Sequence, residues 1–97
     1  MTTAPALVLS ETTLQAIQAE ATRAHLLHGA NSMLNPDHSR DRRMAILLEE
    51  VGEVAHELND AVVEGREVDR DKLVKELIQV AAMAATWIEA EEGQHSR

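Results

Sequence analysis

The segment LLEEVGEVAHEL, residues 47–58, determines the fold class that the sequence predicts. Its apolar side chains recur every three or four positions, and this spacing extends beyond both ends of the segment. Apolar residues at such intervals share one face of an α-helix, as in the seam of a helix bundle. The stripe comprises Met44, Leu47, Val51, Val54, Leu58 and Ala61. We therefore predict a long amphipathic helix over about residues 39–64, which ends before Gly65.

Two further helices are predicted on either side of this segment. Ser10 is a suitable N-cap, and Leu14, Ile17, Ala21, Ala24 and His28 follow at helical spacing, which indicates a helix over about residues 10–28. Residues 29–39 form a connector that contains the turn signal Asn35-Pro36-Asp37. A third helix is expected over about residues 70–92, with Asp69 as its N-cap.

The apolar composition of the third helix predicts oligomerisation. Between Leu77 and Ile88 only Gln79 and Thr86 are polar, so this helix is apolar nearly all round and should be buried on several sides. A 97-residue chain offers little material to cover it. We predict an all-α fold, a helical bundle of about three main helices, completed as a homodimer or a dimer of dimers. It forms one domain, residues 1–97, with an ordered core over 9–92 and flexible ends at 1–8 and 93–97.

Composition restricts the classes of partner. The net charge is −8 and there is no large basic patch, which argues against duplex nucleic acid. Cysteine is absent, no run approaches the ~20 apolar residues of a membrane span, and the N-terminus lacks the pattern of a signal peptide. We expect a cytoplasmic protein that does not bind membranes.

Acidic residues cluster along one edge of the second helix. Glu50 and Glu53 lie three positions apart at the border of the apolar stripe, where like charges repel unless a cation is present. The third helix carries Glu76 and Gln79 along a matching edge. If the two helices pack antiparallel, three carboxylates and one amide oxygen converge, which are ligands that suit Mg²⁺. The alternative is that these residues only form a solvated helix face.

The same residues resemble those of a known family. The all-α nucleotide pyrophosphohydrolases, which include MazG, the dimeric dUTPases and phosphoribosyl-ATP pyrophosphohydrolase, share an EExxE segment followed one helix later by ExxD. Here EEVGE spans residues 49–53, and ELIQ, residues 76–79, stands in the second position. The resemblance covers about residues 42–88, roughly half of the chain. Gln79 replaces the aspartate of the family pattern, which removes one negative charge from the site.

The resemblance implies a set of roles. Glu50, Glu53 and Glu76 would be ligands of Mg²⁺ or Mn²⁺, with Gln79 as a weaker ligand through its amide oxygen. Glu49 would activate or orient the attacking water, or bind a further metal. The implied reaction cleaves a nucleoside triphosphate between the α- and β-phosphates and releases a monophosphate and pyrophosphate. Catalytic roles are thereby expected for Glu49, Glu50 and Glu53.

Basic side chains near these residues are candidates for binding the polyphosphate. Lys72 lies on the same edge as Glu76, where it either reaches a phosphate or balances the nearby carboxylate. Arg40, Arg42 and Arg43 stand at the start of the second helix, which is an unfavourable place for cations unless they have a function. Lys72 and Arg43 are the predicted nucleotide-binding pair.

Two other readings stay open at this point. A catalytically impaired relative would bind nucleotide or metal without turnover, and Gln79 motivates this alternative. A plain helical oligomerisation module would use its glutamates only for solubility. The sequence does not indicate the preferred base or sugar.

Overall fold

The computed structural model describes residues 5–93, and the secondary structure of this range is entirely helical. Helix α1 spans Glu11–His28, a short 3-10 turn spans Gly29–Asn31, helix α2 spans Arg40–Glu64 and helix α3 spans Arg70–Glu91. The predicted all-α class and the three helices are confirmed, and each helix boundary lies within one residue of its predicted position. The oligomeric part of the expectation stays a prediction.

Each helix begins at a residue that caps its free backbone amides. The side chains of Ser10, Ser39 and Asp69 accept hydrogen bonds from backbone N–H groups three residues onward, at 3.1, 3.0 and 3.2 Å. Such caps satisfy donors that have no partner inside the helix. Helix α2 ends at Gly65, whose φ of 63° lies in the left-handed region that favours glycine. The caps therefore fix the ends of the α2–α3 hairpin that carries the acidic residues.

Helix α3 is the central element of the packing. It packs against α1 and against α2, whereas the backbones of α1 and α2 do not approach each other within the described range. The buried core lies where the three helices and the connector meet, and it contains Ala24, Met33, Ala82 and Met83. Because α1 and α2 are held apart by α3, a cleft stays open between them.

The ends of the chain fall largely outside the described range. The predicted flexible segments 1–8 and 93–97 overlap residues 1–4 and 94–97, for which no structure is given. Residues 5–10 form no secondary structure and are exposed. Among the helices of residues 5–93, none combines the length and apolarity needed to cross a lipid bilayer.

Candidate metal and phosphate site

Gln79 joins the acidic edges of α2 and α3. In the amide orientation that its neighbours require, its nitrogen donates to Glu50 Oε2 at 3.3 Å and to Glu76 Oε2 at 3.0 Å. All three side chains are half-buried. The structure thus brings together Glu50, Glu76 and Gln79, three of the four residues that the antiparallel packing of α2 and α3 was expected to place side by side.

Glu50 lies in a strongly electronegative environment. Burial raises the pKa of its carboxyl, and the negative charges of Glu76, Glu53, Glu20 and Glu49 raise it further. The Gln79 amide offers only a dipole, not a positive charge, to offset this repulsion. The ionised form of Glu50 is therefore destabilised in the folded chain, and a bound cation would relieve that destabilisation.

A cleft between α1 and α2 leads to this carboxylate. Its volume is about 230 Å³, and Glu49 and Glu50 both line it, with Arg42 about two helical turns before them on the same helix. His28 and Asn31 contribute further polar side chains from α1 and the 3-10 turn. Its apolar lining comes mainly from Met33, Ile46 and Met83. The cleft therefore combines an acidic end, a guanidinium group and an apolar wall.

Glu53, the fourth predicted ligand, is not in contact with the other three. Its side chain is exposed, and it acts on Glu50 through the repulsion described above. Within residues 5–93, no three acidic, histidine or cysteine side chains lie close enough together to hold one ion. The donor set fits a hard divalent cation by its chemistry, since it consists of carboxylate and amide oxygens. Binding an ion here requires Glu53 to turn inward and the Gln79 amide to rotate so that its oxygen faces the ion.

Arg43 has a structural role, which differs from its predicted role in nucleotide binding. Its side chain is buried, and its guanidinium donates to the backbone carbonyls of Met33 and Asn35, both at 2.9 Å. These bonds fasten the connector to the start of α2. A guanidinium that donates to two connector carbonyls is not available to a phosphate unless these bonds break, so Arg42, which lines the cleft, is the better candidate.

Lys72 also has a protein partner. Its Nζ lies 3.3 Å from Glu57 Oε1, while Arg66 Nη1 lies 3.1 Å from Glu57 Oε2. Glu57 is 2 % exposed, and hydrogen bonds from Arg66 and then Lys72 lower the pKa of its carboxyl. The balancing role that the sequence left open for Lys72 is thus present, although its partner is Glu57 and not Glu76.

Helix α1 supplies residues that sequence reasoning did not assign to the site. Arg23 forms a two-point ion pair with Glu20 at 2.6 and 2.8 Å, and the pKa of Arg23 is raised by Glu20 and also by Glu50. From α1, His25 Nδ1 lies 2.6 Å from the buried hydroxyl of Ser32 in the connector, which also accepts from the amide of Leu34. No local motif marks these residues, because their proximity to the cleft follows from how α1 packs on α3.

Comparison with family models, with curated proteins and with solved structures gave no match to this chain in any of the three cases.

Proposed function

We propose that this protein is a divalent-cation-dependent nucleoside triphosphate pyrophosphohydrolase that cleaves between the α- and β-phosphates. One observation supports this most directly: Glu50 is half-buried among four other carboxylates, with a dipole from Gln79 but, among residues 5–93, no cationic hydrogen-bond partner. Folding such a cluster costs free energy, and clusters of this kind are typical of sites that bind cations or transfer protons. The resemblance of residues 49–53 and 76–79 to the pyrophosphohydrolase pattern supports the choice of reaction.

The proposed ligands are Glu50, Glu53 and Glu76, with the amide oxygen of Gln79 as the fourth protein group. Mg²⁺ or Mn²⁺ bound there would neutralise the polyphosphate, polarise the phosphoryl group and lower the pKa of a bound water. Glu49 lines the cleft beside Glu50, which supports a role for its carboxylate as the acceptor of a proton from an attacking water. Its exposed position leaves it free for this task.

Cationic side chains along the cleft would bind the phosphates. Arg42 lines the cleft together with Glu49 and Glu50, and a guanidinium can donate two parallel hydrogen bonds to a phosphate. Such donors stabilise the charge that develops on the leaving pyrophosphate. Arg43 acts differently in this proposal, because it holds the connector that supplies Met33 to the apolar wall.

The test is a pyrophosphate-release assay over ribo- and deoxyribonucleoside triphosphates with Mg²⁺ or Mn²⁺. We expect turnover of at least one substrate, and a loss of about 100-fold or more in Glu49→Gln and in Glu50→Gln. Glu64→Gln is the matched control, since Glu64 lies on the same helix but pairs with Arg66 outside the cleft. No release by the wild type with any triphosphate, or equal losses in all three variants, would contradict the proposal.

A second candidate function is nucleotide or metal binding without turnover. The observation that favours it is the Gln79 amide, which donates one hydrogen bond to Glu50 and one to Glu76 and so links the two carboxylates without a metal. Calorimetric binding of a nucleotide in the presence of Mg²⁺, together with no release of pyrophosphate, would select this candidate over the hydrolase.

A further inference from the structure

A second depression in the surface lies beside the acidic residues, between α1 and α3. Its volume is about 390 Å³, and its charged lining residues are Glu20 and Arg23 from α1 and Asp71 and Lys75 from α3. It shares no lining residue with the cleft between α1 and α2. Because Lys75 directly precedes Glu76 in the chain, this depression adjoins the proposed metal ligands. We call it the α1–α3 depression.

The guanidinium group of Arg23 is held in place and keeps one edge free. Its Nε donates to Glu20 Oε1 at 2.8 Å, and its Nη2 donates to Glu20 Oε2 at 2.6 Å. The remaining N–H groups, on Nη1 and Nη2, have no hydrogen-bond partner within residues 5–93. The Arg23 side chain is also 53 % exposed, unlike the buried side chain of Arg43. Arg23 can therefore donate two parallel hydrogen bonds to a phosphate while Glu20 still holds it.

The electrostatic neighbourhood of Glu20 and Arg23 extends to Glu50. Hydrogen bonding to Glu20 raises the pKa of Arg23, and the negative charge of Glu50 raises it further. Hydrogen bonds from Arg23 lower the pKa of Glu20 against the effect of burial, and the positive charge of Lys75 lowers it further. Such shifts require charges that lie near one another. Arg23 and Lys75 are thus cationic neighbours of the carboxylate cluster to which Glu50 belongs.

The two lysines of α3 differ in their partners. Lys72 Nζ lies 3.3 Å from Glu57 Oε1, so its charge balances that buried carboxylate. Lys75 is exposed, and it forms no ion pair with any residue in the range 5–93. Its ammonium group, at the edge of the α1–α3 depression, is therefore available to an anion.

The nearby carboxylates determine which anion this depression can bind. Glu50, Glu53 and Glu76 would repel a free phosphate, and so would the net charge of −8. A divalent cation at the proposed site would offset that repulsion, and Mg²⁺ commonly keeps substrate phosphates among its ligands. A polyphosphate has enough oxygens to ligate the cation and to accept hydrogen bonds from a guanidinium as well. The depression therefore suits a polyphosphate whose binding depends on the cation.

We propose that Arg23 and Lys75 form an anion subsite, in the α1–α3 depression, that binds the pyrophosphate end of a nucleoside triphosphate. Glu20 is a positioning residue of this subsite, since it acts by holding the guanidinium of Arg23. The subsite rests on the proposed function, because the divalent cation must offset the nearby carboxylates. It adds α1 to a site whose sequence pattern lies on α2 and α3 alone. Arg42 lines the separate cleft, so cations from both cavities hold the polyphosphate.

Calorimetric titration with inorganic pyrophosphate at saturating Mn²⁺ tests the subsite without turnover. We expect the dissociation constant of pyrophosphate to rise about tenfold or more in Arg23→Gln and about threefold or more in Lys75→Gln, because each loses charge-assisted hydrogen bonds to phosphate. Arg70→Gln is the matched control, since Arg70 is exposed, lines neither cavity and its loss changes the net charge equally. This control should bind pyrophosphate like the wild type. With a chelator in place of Mn²⁺, we expect no binding.

Glu20→Gln distinguishes a positioning role from a merely structural one. This substitution should weaken pyrophosphate binding in the wild-type background but not in the Arg23→Gln background, since Glu20 acts through Arg23. Thermal melts with Mn²⁺ alone should show that every variant keeps the metal-dependent rise in melting temperature. That result would establish that the variants fold and that the metal site is intact.

Pyrophosphate binding by Arg23→Gln and Lys75→Gln that is as tight as binding by Arg70→Gln would overturn the subsite. A wild type that does not bind pyrophosphate with Mn²⁺ would overturn it as well. Failure of the hydrolase proposal is a separate result. Binding that depends on Arg23, without release of pyrophosphate from any triphosphate, would retain the subsite and reject the hydrolase. Release of pyrophosphate, with binding unaffected by Arg23→Gln, would do the reverse.

Discussion

Glu50 and Glu57 lie two turns apart on the same side of α2, yet their surroundings are opposite. Glu57 is almost fully buried, but Arg66 and Lys72 both contact its carboxylate and lower its pKa. Glu50 is only half-buried, but it faces other carboxylates and its pKa is raised. Burial alone therefore does not distinguish Glu57, which has a structural role, from Glu50 in the candidate site. The charge of the neighbouring side chains decides whether the pKa of a glutamate is lowered or raised. It distinguishes Glu57, near the loop end of the hairpin, from Glu50 in the candidate site.

The largest expected effect is at Glu57. Glu57→Gln leaves two cations without their buried partner, so we expect the melting temperature to fall by roughly 10 °C or more at neutral pH. Since folding lowers the pKa of Glu57, its stabilisation is present above the unfolded value of about 4.3 and is lost as the pH falls through the folded value. The difference in melting temperature between wild type and Glu57→Gln should therefore shrink in acid. An unchanged difference at low pH would contradict the ion-pair explanation.

A divalent cation should act at the candidate site, near the middle of the hairpin. At a concentration ten times its dissociation constant, Mg²⁺ or Mn²⁺ should stabilise the wild type by about 1.4 kcal/mol, which corresponds to a rise of roughly 6 to 10 °C in melting temperature. Glu53→Gln removes one proposed ligand and should show a much smaller rise, while Glu64→Gln should respond like wild type. Equal rises in melting temperature for all three proteins would contradict the proposed metal site.

Neutralising Glu50 should stabilise the metal-free protein. Folding raises the pKa of Glu50, so its contribution favours the folded state below about pH 4 and turns against it as the pH rises through the folded value. With a chelator present, Glu50→Gln should therefore melt a few degrees above wild type at pH 7 and close to it in acid. If Glu50→Gln melted below wild type at pH 7, ionised Glu50 would stabilise the fold as Glu57 does, and the contrast between the two residues would be lost.

The smallest effect is expected at Gln79, where the chain differs from the pattern of the pyrophosphohydrolases that it resembles. Gln79→Asp adds a charged oxygen beside Glu50 and Glu76, so it should lower the Mg²⁺ concentration for half-maximal stabilisation roughly three- to tenfold. Gln79→Ala should raise that concentration, because it removes the oxygen without a replacement. Metal titrations followed by thermal melts give both values. Identical titrations for wild type and both variants would place Gln79 outside the site.

The sequence predicted the helices well because their signals are local. Ser10, Ser39 and Asp69 are side-chain caps, and Gly65 ends α2 by its own backbone preference, so each boundary follows from a few adjacent residues. The alignment of Glu50 with Glu76 and Gln79 was also predictable, because a short loop forces α2 and α3 to be antiparallel. Helical periodicity then gives the side that each residue occupies.

The role of Arg43 was not predictable in the same way. Three arginines stand within four positions at the start of α2, and nothing in their order shows which one turns inward. That choice depends on the path of the connector, whose carbonyls at Met33 and Asn35 are bonded by Arg43. Irregular backbone has no periodicity from which its position could be inferred. The approach of Arg23 to Glu50 was missed for a related reason, since it depends on the crossing of α1 over α3.

The contacts of Trp87 give the protein an internal fluorescent reporter. Its indole nitrogen donates to Glu91 Oε2 at 3.0 Å. Arg40 Nε and Nη2 donate to the same carboxylate at 3.0 and 2.9 Å. The chain has no tyrosine and no second tryptophan. All of its near-ultraviolet emission therefore arises at one point, where the start of α2 meets the end of α3. Separation of these two helix ends would change that emission without any label, which makes the opening of the hairpin measurable in the unmodified protein.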